Sequence, residues 1–343
     1  MKPVICLIAP TASGKTALAY ELFDTGNYAL ISVDSALIYR DMDIGTAKPS
    51  RDELARYPHA LVDIIDPDQS YSVAQFVADA AAQITAAHVQ GKTPLLVGGT
   101  MMYYMALLQG IGNLPPTDPA IRERLNTRLQ QEGIAPLYEE LRRIDPPTAE
   151  RLKPNDRQRI GRALEVYWQT GKPLSVWHTL PNHALADNPT QAWQIFAVLP
   201  ERAWLHARIE QRLGQMWQAG LLAEVIALCQ RYALHADLPS MRSVGYRQVW
   251  QFLQTVAPEV LINDVAKQAA GLASPARLAN QLSQSTDTHT QAAYQAMQHQ
   301  ALYATRQLAK RQYTWLRKLN QLNLAPQHRL HTLTDVQQMR AYI

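Results

Sequence analysis

Residues 9–16 read APTASGKT, an order of residue types suited to holding a phosphate. Backbone N–H groups at the start of a helix converge on an anion, and the helix dipole favours its charge. In this pattern Gly14 allows close approach of the backbone, Lys15 neutralises an outer phosphate and Thr16 is suited to a magnesium ion. The first glycine of the usual phosphate-loop pattern is Ala9 here, where a strand is about to leave its sheet. An apolar run over residues 4–8 precedes the motif and a helical pattern follows from Lys15. The motif specifies a phosphate ligand; it does not specify ATP.

Two further loops carry candidate chemistry. Asp34 directly follows the apolar run 29–33. It reads as a magnesium carboxylate, as a general base, or as a helix cap. Thr100 follows the run 94–97 through Gly98 and Gly99, and reads either as an N-cap or as a group facing the same crevice as Lys15 and Asp34. Asp41, Asp43 and Gly45 suggest turn chemistry, Lys48 before Pro49 is open to either reading, and the Met- and Tyr-rich stretch 101–105 suggests core more than pocket.

These loops need elements to position them. Apolar runs at 4–8, 29–33 and 94–97, with an alanine-rich helical pattern at 73–89, predict a parallel sheet with helices on both faces. In such sheets ligands bind at the carboxyl ends of the strands. Past the proline-rich stretch 115–119 the pattern is helical, broken at Pro136, Pro146, Pro147 and Pro154, and a buried strand is predicted at 195–199. The expected organisation is an α/β core over 1–118 and 191–325, a helical insert over 119–190 and a C-terminal tail over 326–343. Helices are expected at 203–232, 243–253 and 303–319, and the Gln/Ala/Ser/Thr-rich stretch 263–299 reads as a flexible excursion.

The net charge of +4 conceals an asymmetry. The first 150 residues carry 12 basic and 18 acidic side chains, the remainder 21 and 11, and residues 288–334 contain no Asp or Glu. A basic half implies a polyanionic partner or a solvated helix face. Two cysteines, Cys6 and Cys229, make neither a disulfide framework nor a zinc site. With no apolar stretch of membrane-spanning length, the cytoplasm is the expected compartment. A monomer is the expected assembly, although the sequence does not fix the oligomeric state.

Together with NDRQRIGRALEVY at 155–167, SVGYRQ at 243–248 and ATRQLAKRQYTWLR at 304–317, the segments PTASGKT, SVDSALIYRDMDIGTAKP and LLVGGT resemble the tRNA dimethylallyltransferases (tRNA isopentenyltransferases). The resemblance implies a phosphate-loop (P-loop) NTPase-like fold, and an enzyme that moves a dimethylallyl group from dimethylallyl diphosphate to the N6 amine of the adenosine 3′-adjacent to the anticodon of tRNA. By that resemblance Ala9, Pro10, Thr11, Ala12, Ser13, Gly14, Lys15 and Thr16 hold the diphosphate, Thr16 with a magnesium cofactor. Asp34 is the general base, Thr100 stands beside it, and Arg208 lies near the diphosphate.

The tRNA contacts implied by the resemblance are Asp34, Ser35, Ala36, Leu37, Thr100 and Arg122; then Gln158, Arg159, Ile160, Gly161 and Arg162; then Arg242, Ser243, Val244, Gly245, Tyr246 and Arg247. Lys310, Arg311, Gln312, Tyr313, Thr314, Trp315, Leu316 and Arg317 complete the set. A target base that stacks in an RNA loop must be extruded to reach a buried centre, which requires phosphate anchors and planar receivers. Tyr246 and Trp315 read equally as such receivers or as core. The stretch 256–299 is longer than the family pattern calls for. Two other functions compete: a phosphate-loop kinase, which leaves the basic C-terminal helix unexplained, and a non-catalytic RNA-binding protein, which leaves Lys15, Thr16 and Asp34 unexplained.

Overall fold

The structure is a computed structural model of the chain, and it describes residues 1–112, 114–261 and 274–343. The chain forms two compact units, one from Met1–Met105 with Asn188–Ile343, the other Ala106–Asp187. Among the described residues no helix is long and apolar enough to cross a membrane.

The larger unit is built on six strands: β1 (Lys2–Ile8), β2 (Tyr28–Val33), β3 (His59–Ala60), β4 (Thr93–Gly98), β5 (Gln191–Val198) and β6 (Arg329–Leu333). Their order is β3-β2-β4-β1-β5-β6 and every pairing is parallel, the arrangement the apolar runs predict. Strand continuity follows from burial. Val4–Ile8 are all buried, so the run is apolar throughout instead of alternating. One face carries Ile5, Leu7, Leu95, Val97, Phe196 and Val198, covered by Leu18 and Leu22 of the Lys15–Asp24 helix and by Val336 and Met339.

The expected C-terminal tail is part of this sheet. β6 pairs with β5 from Gln194↔Arg329 to Val198↔Leu333, and Leu199 N–H donates to Leu333 O at 2.8 Å. The segment RLHTL is too short and too mixed to announce a strand, and only pairing with the buried β5 makes it one.

A second core lies among helices. Leu221–Arg231 and Tyr246–Val256 bury Leu222, Val225, Ile226, Val249 and Leu253 against Ile38, Tyr39 and Met42 of the segment after β2. The expected flexible excursion over 263–299 does not hold for its described part; residues 262–273 lie outside the described residues. From Ser274, whose hydroxyl accepts from Arg277 N–H, runs a helix Pro275–Ser283. The long helix Thr288–Leu319 begins well before the predicted 303, capped by Asp287. Ala279 and Met297 are buried in the same core, with Leu278, Leu282, Ala293 and Tyr294 packed against it. The polar composition conceals this packing because a narrow apolar stripe is enough for a helix that lies against existing helices.

The smaller unit is helical, with Pro119–Gln131, Ile134–Ile144, Pro146–Arg151, Arg157–Thr170 and Leu174–Trp177 around Leu125, Leu137, Leu141, Ile160 and Leu164. It spans 106–187, against the expected insert of 119–190.

If the 275–299 stretch is structural, truncating its anchor is costly. Met297 is 2% exposed, and Met297→Ala is expected to lower unfolding free energy by about 2–4 kcal/mol in urea titration. A midpoint equal to that of the unsubstituted protein would show that the segment does not contribute to the core.

Candidate active site

β2, β4 and β1 are neighbours and parallel, so their carboxyl ends share one edge of the sheet. The loops beginning at Ala9, Asp34 and Gly99 leave from that edge. The strands approach very closely there: a Cβ on Gly98 would lie 2.0 Å from Val33 O, so only glycine fits.

The first loop is the phosphate-loop segment. Ala12 (φ 64) and Gly14 (φ 88) both adopt left-handed backbone, the alternation that gathers N–H groups into an anion-binding nest. Gly14 immediately precedes the Lys15–Asp24 helix. A cavity of about 270 Å³ opens over it, lined by Ala12, Ser13, Gly14, Lys15 and Thr16 on one side and by Arg208, Gln211, Arg212 and Gln215 on the other. Arg208 Nε donates to Ala12 O at 2.9 Å, which fixes the loop, and Arg212 donates to Thr46 O at 3.3 Å. Burial lowers the Lys15 ammonium to about 8, with the negative charge of Asp34 opposing and the positive charge of Arg212 adding to the shift. The guanidinium of Arg212 is also lowered by burial, again opposed by Asp34. Ala9 and Pro10 are buried behind the loop, Thr11 is half-buried and Thr16 is exposed. The cavity is thus a cationic site open to solvent on one side, suited to a polyanion.

Arg212 is the residue sequence reasoning passed over in favour of Arg208. Both lie on the Arg202–Ala219 helix four residues apart, so both face the loop. That spacing was the available signal.

The other two loops meet each other. Thr100 Oγ1 accepts from Ser35 N–H at 3.0 Å, its hydroxyl donates to Ser35 Oγ at 3.3 Å, and Thr100 N–H donates to Val33 O at 3.2 Å. Asp34 Oδ1 accepts from Ala36 N–H at 2.9 Å. The second carboxylate oxygen of Asp34 makes no hydrogen bond among the described residues. Tyr104 is buried, its hydroxyl directed at Leu96 O and Leu7 O, and Tyr103 stacks on Phe76.

The segment after Asp34 is held from below. The Glu224 carboxylate accepts from Asp43, Ile44 and Gly45 N–H at 3.0, 2.6 and 3.1 Å, and from the Tyr246 hydroxyl at 2.6 Å. The Lys48 ammonium, its side chain only 2% exposed, bonds Tyr39 O, Asp43 Oδ1 and Asp63 Oδ1. Asp41 (φ 61) accepts from the Tyr232 hydroxyl and pairs with Arg231. Tyr246 is therefore a support for the loop: it is fully buried, and a Cβ on Gly45 would come within 2.6 Å of its ring. It offers no face to a nucleobase.

The remaining expected contacts divide by exposure. On the Thr288–Leu319 helix, Lys310, Arg311, Thr314, Trp315 and Arg317 are exposed, whereas Gln312, Tyr313 and Leu316 are buried. Trp315 lies beneath the Lys318 ammonium, which is 5.1 Å from its ring centre. Gln312 spans two loops: its Nε2 donates to Gly99 O at 2.9 Å and its Oε1 accepts from Thr11 N–H at 3.2 Å. Ahead of the Tyr246–Val256 helix, Arg242 is exposed, Ser243 and Val244 are half-buried and Gly245 is buried. Arg247, in that helix, is exposed and bonds Arg242 O. Ser35 is exposed, with Ala36 and Leu37 half-buried.

In the smaller unit, Gln158 and Arg159 are exposed and Arg159 pairs with Asp156. Ile160 and Gly161 face that unit's own core, where a Cβ on Gly161 would lie 2.7 Å from Leu125. Arg122 and Arg162 both point at the buried Glu165, at 2.5 and 3.7 Å. Burial raises the Glu165 carboxyl and the two arginines oppose that shift. With a guanidinium in contact, the group is best described as an ionised carboxylate.

Comparison with known proteins gives the family. The profile of the IPP transferase family matches residues 37–319. A tRNA dimethylallyltransferase of Psychrobacter sp. (strain PRwf-1) is 55% identical over 320 residues, 92% of this chain and 85% of the relative. One from Acinetobacter baumannii (strain SDF) is 48% identical over 327 residues, 94% of this chain and 92% of the relative. Among solved structures, the full-length tRNA isopentenylpyrophosphate transferase of Bacillus halodurans aligns at 29% identity with a TM-score of 0.53, covering 96% of this chain and 89% of that one. With identities of this size over nearly the whole length, the chain belongs to the tRNA dimethylallyltransferase family and is a prenyltransferase.

Proposed function

We propose that the protein transfers a dimethylallyl group from dimethylallyl diphosphate to the N6 amine of the adenosine 3′-adjacent to the anticodon of tRNA. The observation that carries the reading is a cationic cavity over one strand-end loop, lined by Lys15, Arg208 and Arg212, next to the strand ends bearing Asp34 and Thr100. The C1–O bond of the allylic donor breaks and the diphosphate leaves with the electron pair. The bond from N6 to C1 forms, and the N6 proton passes to Asp34.

Each residue has a task in this scheme. The exocyclic amine is a weak nucleophile because its lone pair is delocalised into the ring, so a carboxylate that orients it and takes its proton lowers the barrier. The Asp34 oxygen without a hydrogen-bond partner is suited to that role. The charge developing on the leaving group is met by the loop N–H groups, Lys15, Arg208 and Arg212. Burial of Lys15 makes its pairing with a polyanion more favourable than it would be in water.

Among the described residues no three His, Cys, Asp or Glu side chains gather to hold a metal. A magnesium ion here would be bound chiefly through substrate phosphates, as such ions commonly are. The exposed hydroxyl of Thr16 would be its protein ligand. When bound, the ion would neutralise charge on the departing diphosphate.

In the larger unit RNA is received by the exposed basic face of the Thr288–Leu319 helix with Arg242 and Arg247; in the smaller unit, taken by itself, Arg159 is the exposed candidate contact. Trp315, 37% exposed beside Lys318, is a planar surface suited to a displaced base.

Three measurements test the reading. Nucleosides recovered from tRNA incubated with the protein and the donor should carry one added five-carbon prenyl group on adenosine, detected by mass. Asp34→Asn is expected to lower kcat by about 10²–10⁴-fold with tRNA affinity little changed; activity near that of the unsubstituted enzyme would remove Asp34 as the base. Replacing Lys310 and Arg311 by Ala together should weaken tRNA binding and flatten the plot of log affinity against log salt by roughly 1–2 units. An unaltered slope would locate the RNA surface elsewhere.

A further inference from the structure

Gln312 sits in the run of residues whose resemblance points to RNA, yet its side chain is only 8% exposed and turned inward. Its amide makes two bonds, one to each of two reacting loops. Nε2 donates to Gly99 O, in the residue before Thr100, and Oε1 accepts from Thr11 N–H, in the phosphate-loop segment. The fit is close. A Cβ on Gly99 would come within 2.6 Å of Gln312 Nε2 and 3.2 Å of Ala9 O. The next residue, Tyr313, donates its hydroxyl to Pro200 O, just past the end of β5, so the helix has a second anchor beside this point.

A carboxamide is well matched to this place. It presents a donor and an acceptor side by side. Glutamate would set a carboxylate oxygen against Gly99 O, and asparagine is shorter by one methylene.

We propose that Gln312 is a positioning residue, whose amide fixes the separation between the site of the leaving diphosphate and the loops bearing Thr100 and Asp34. The inference rests on the prenyl-transfer reading above. In an in-line displacement the attacking amine, the carbon and the departing oxygen must be aligned, and the two loops hold opposite ends of that line. A shift of about 1 Å between such groups costs on the order of 100-fold in rate without requiring any loss of affinity for either substrate.

The test uses the full-length enzyme. Gln312→Met preserves side-chain length and volume while deleting both bonds. Expected is a fall in kcat of about 30–100-fold, with the dissociation constants of tRNA alone and of inorganic diphosphate alone changed less than about threefold. A second perturbation reaches the same contact from the other side. Gly99→Ala should lower kcat when Gln312 is present and do so far less in the Gln312→Ala background, where the crowded amide is gone. The double variant also serves if Gln312→Met folds poorly.

Transfer by Gln312→Met within about threefold of the unsubstituted rate would overturn the proposal. A loss confined to tRNA affinity would also overturn it, making Gln312 an RNA contact. So would fully additive effects of Gly99→Ala and Gln312→Ala. If the unsubstituted protein itself transfers no prenyl group, the functional reading fails, an outcome distinct from all of these.

Discussion

The parallel alignment of β2, β4 and β1 is the constraint on which the site depends. Parallel strands deliver every following loop to one edge, and here three such loops follow adjacent strands. The approach of β4 to β2 is so close that Gly98 has no room for a Cβ. Crowding at that point brings Thr100 into contact with Ser35. A looser sheet would retain the residues and lose their proximity. The chemistry is thus a property of strand packing first and of side chains second.

How far this was legible in the sequence depends on where each residue's partner lies along the chain. Lys15, Asp34 and Thr100 could be singled out because each follows an apolar run at short range, and a strand end in an α/β sheet is a place where ligands bind. Gln312 could not be read as a brace. Its partners at Thr11 and Gly99 are 301 and 213 residues away. Glu224 is equally silent, since one acid in an apolar helix looks like a solvated position until the loop that it caps is seen. For Tyr246 the sequence leaves base receiver and core equally open, and burial decides for core: its ring is what Gly45 packs against. The helix Pro275–Ser283 and strand β6 were missed because both acquire their structure from a neighbour instead of from their own composition.

The helix Thr288–Leu319 combines two functions in one stretch of sequence. Helical geometry turns Gln312, Tyr313 and Leu316 inward and Arg311, Thr314, Trp315 and Arg317 outward. One short motif therefore records two kinds of constraint, recognition outside and bracing inside. Reading the whole run as an RNA surface merges them. The same separation holds in the smaller unit, where Arg159 is exposed while Ile160 and Gly161 belong to its core.

Glu224 accepts four donors from the segment after Asp34 and its support, three backbone amides and one phenol. Bonds to a charged acceptor contribute about 1.5–3 kcal/mol each, so the turn at 43–45 is shaped mainly by a group lying more than 170 residues further along. Gly45 has no side chain because the Tyr246 ring fills that space, and Tyr246 is held there by the same carboxylate. The three residues form an interdependent set, so a change at one alters the space or the bonds of the other two. A substitution at any one of these positions is therefore felt by the turn as a whole and not by a single contact.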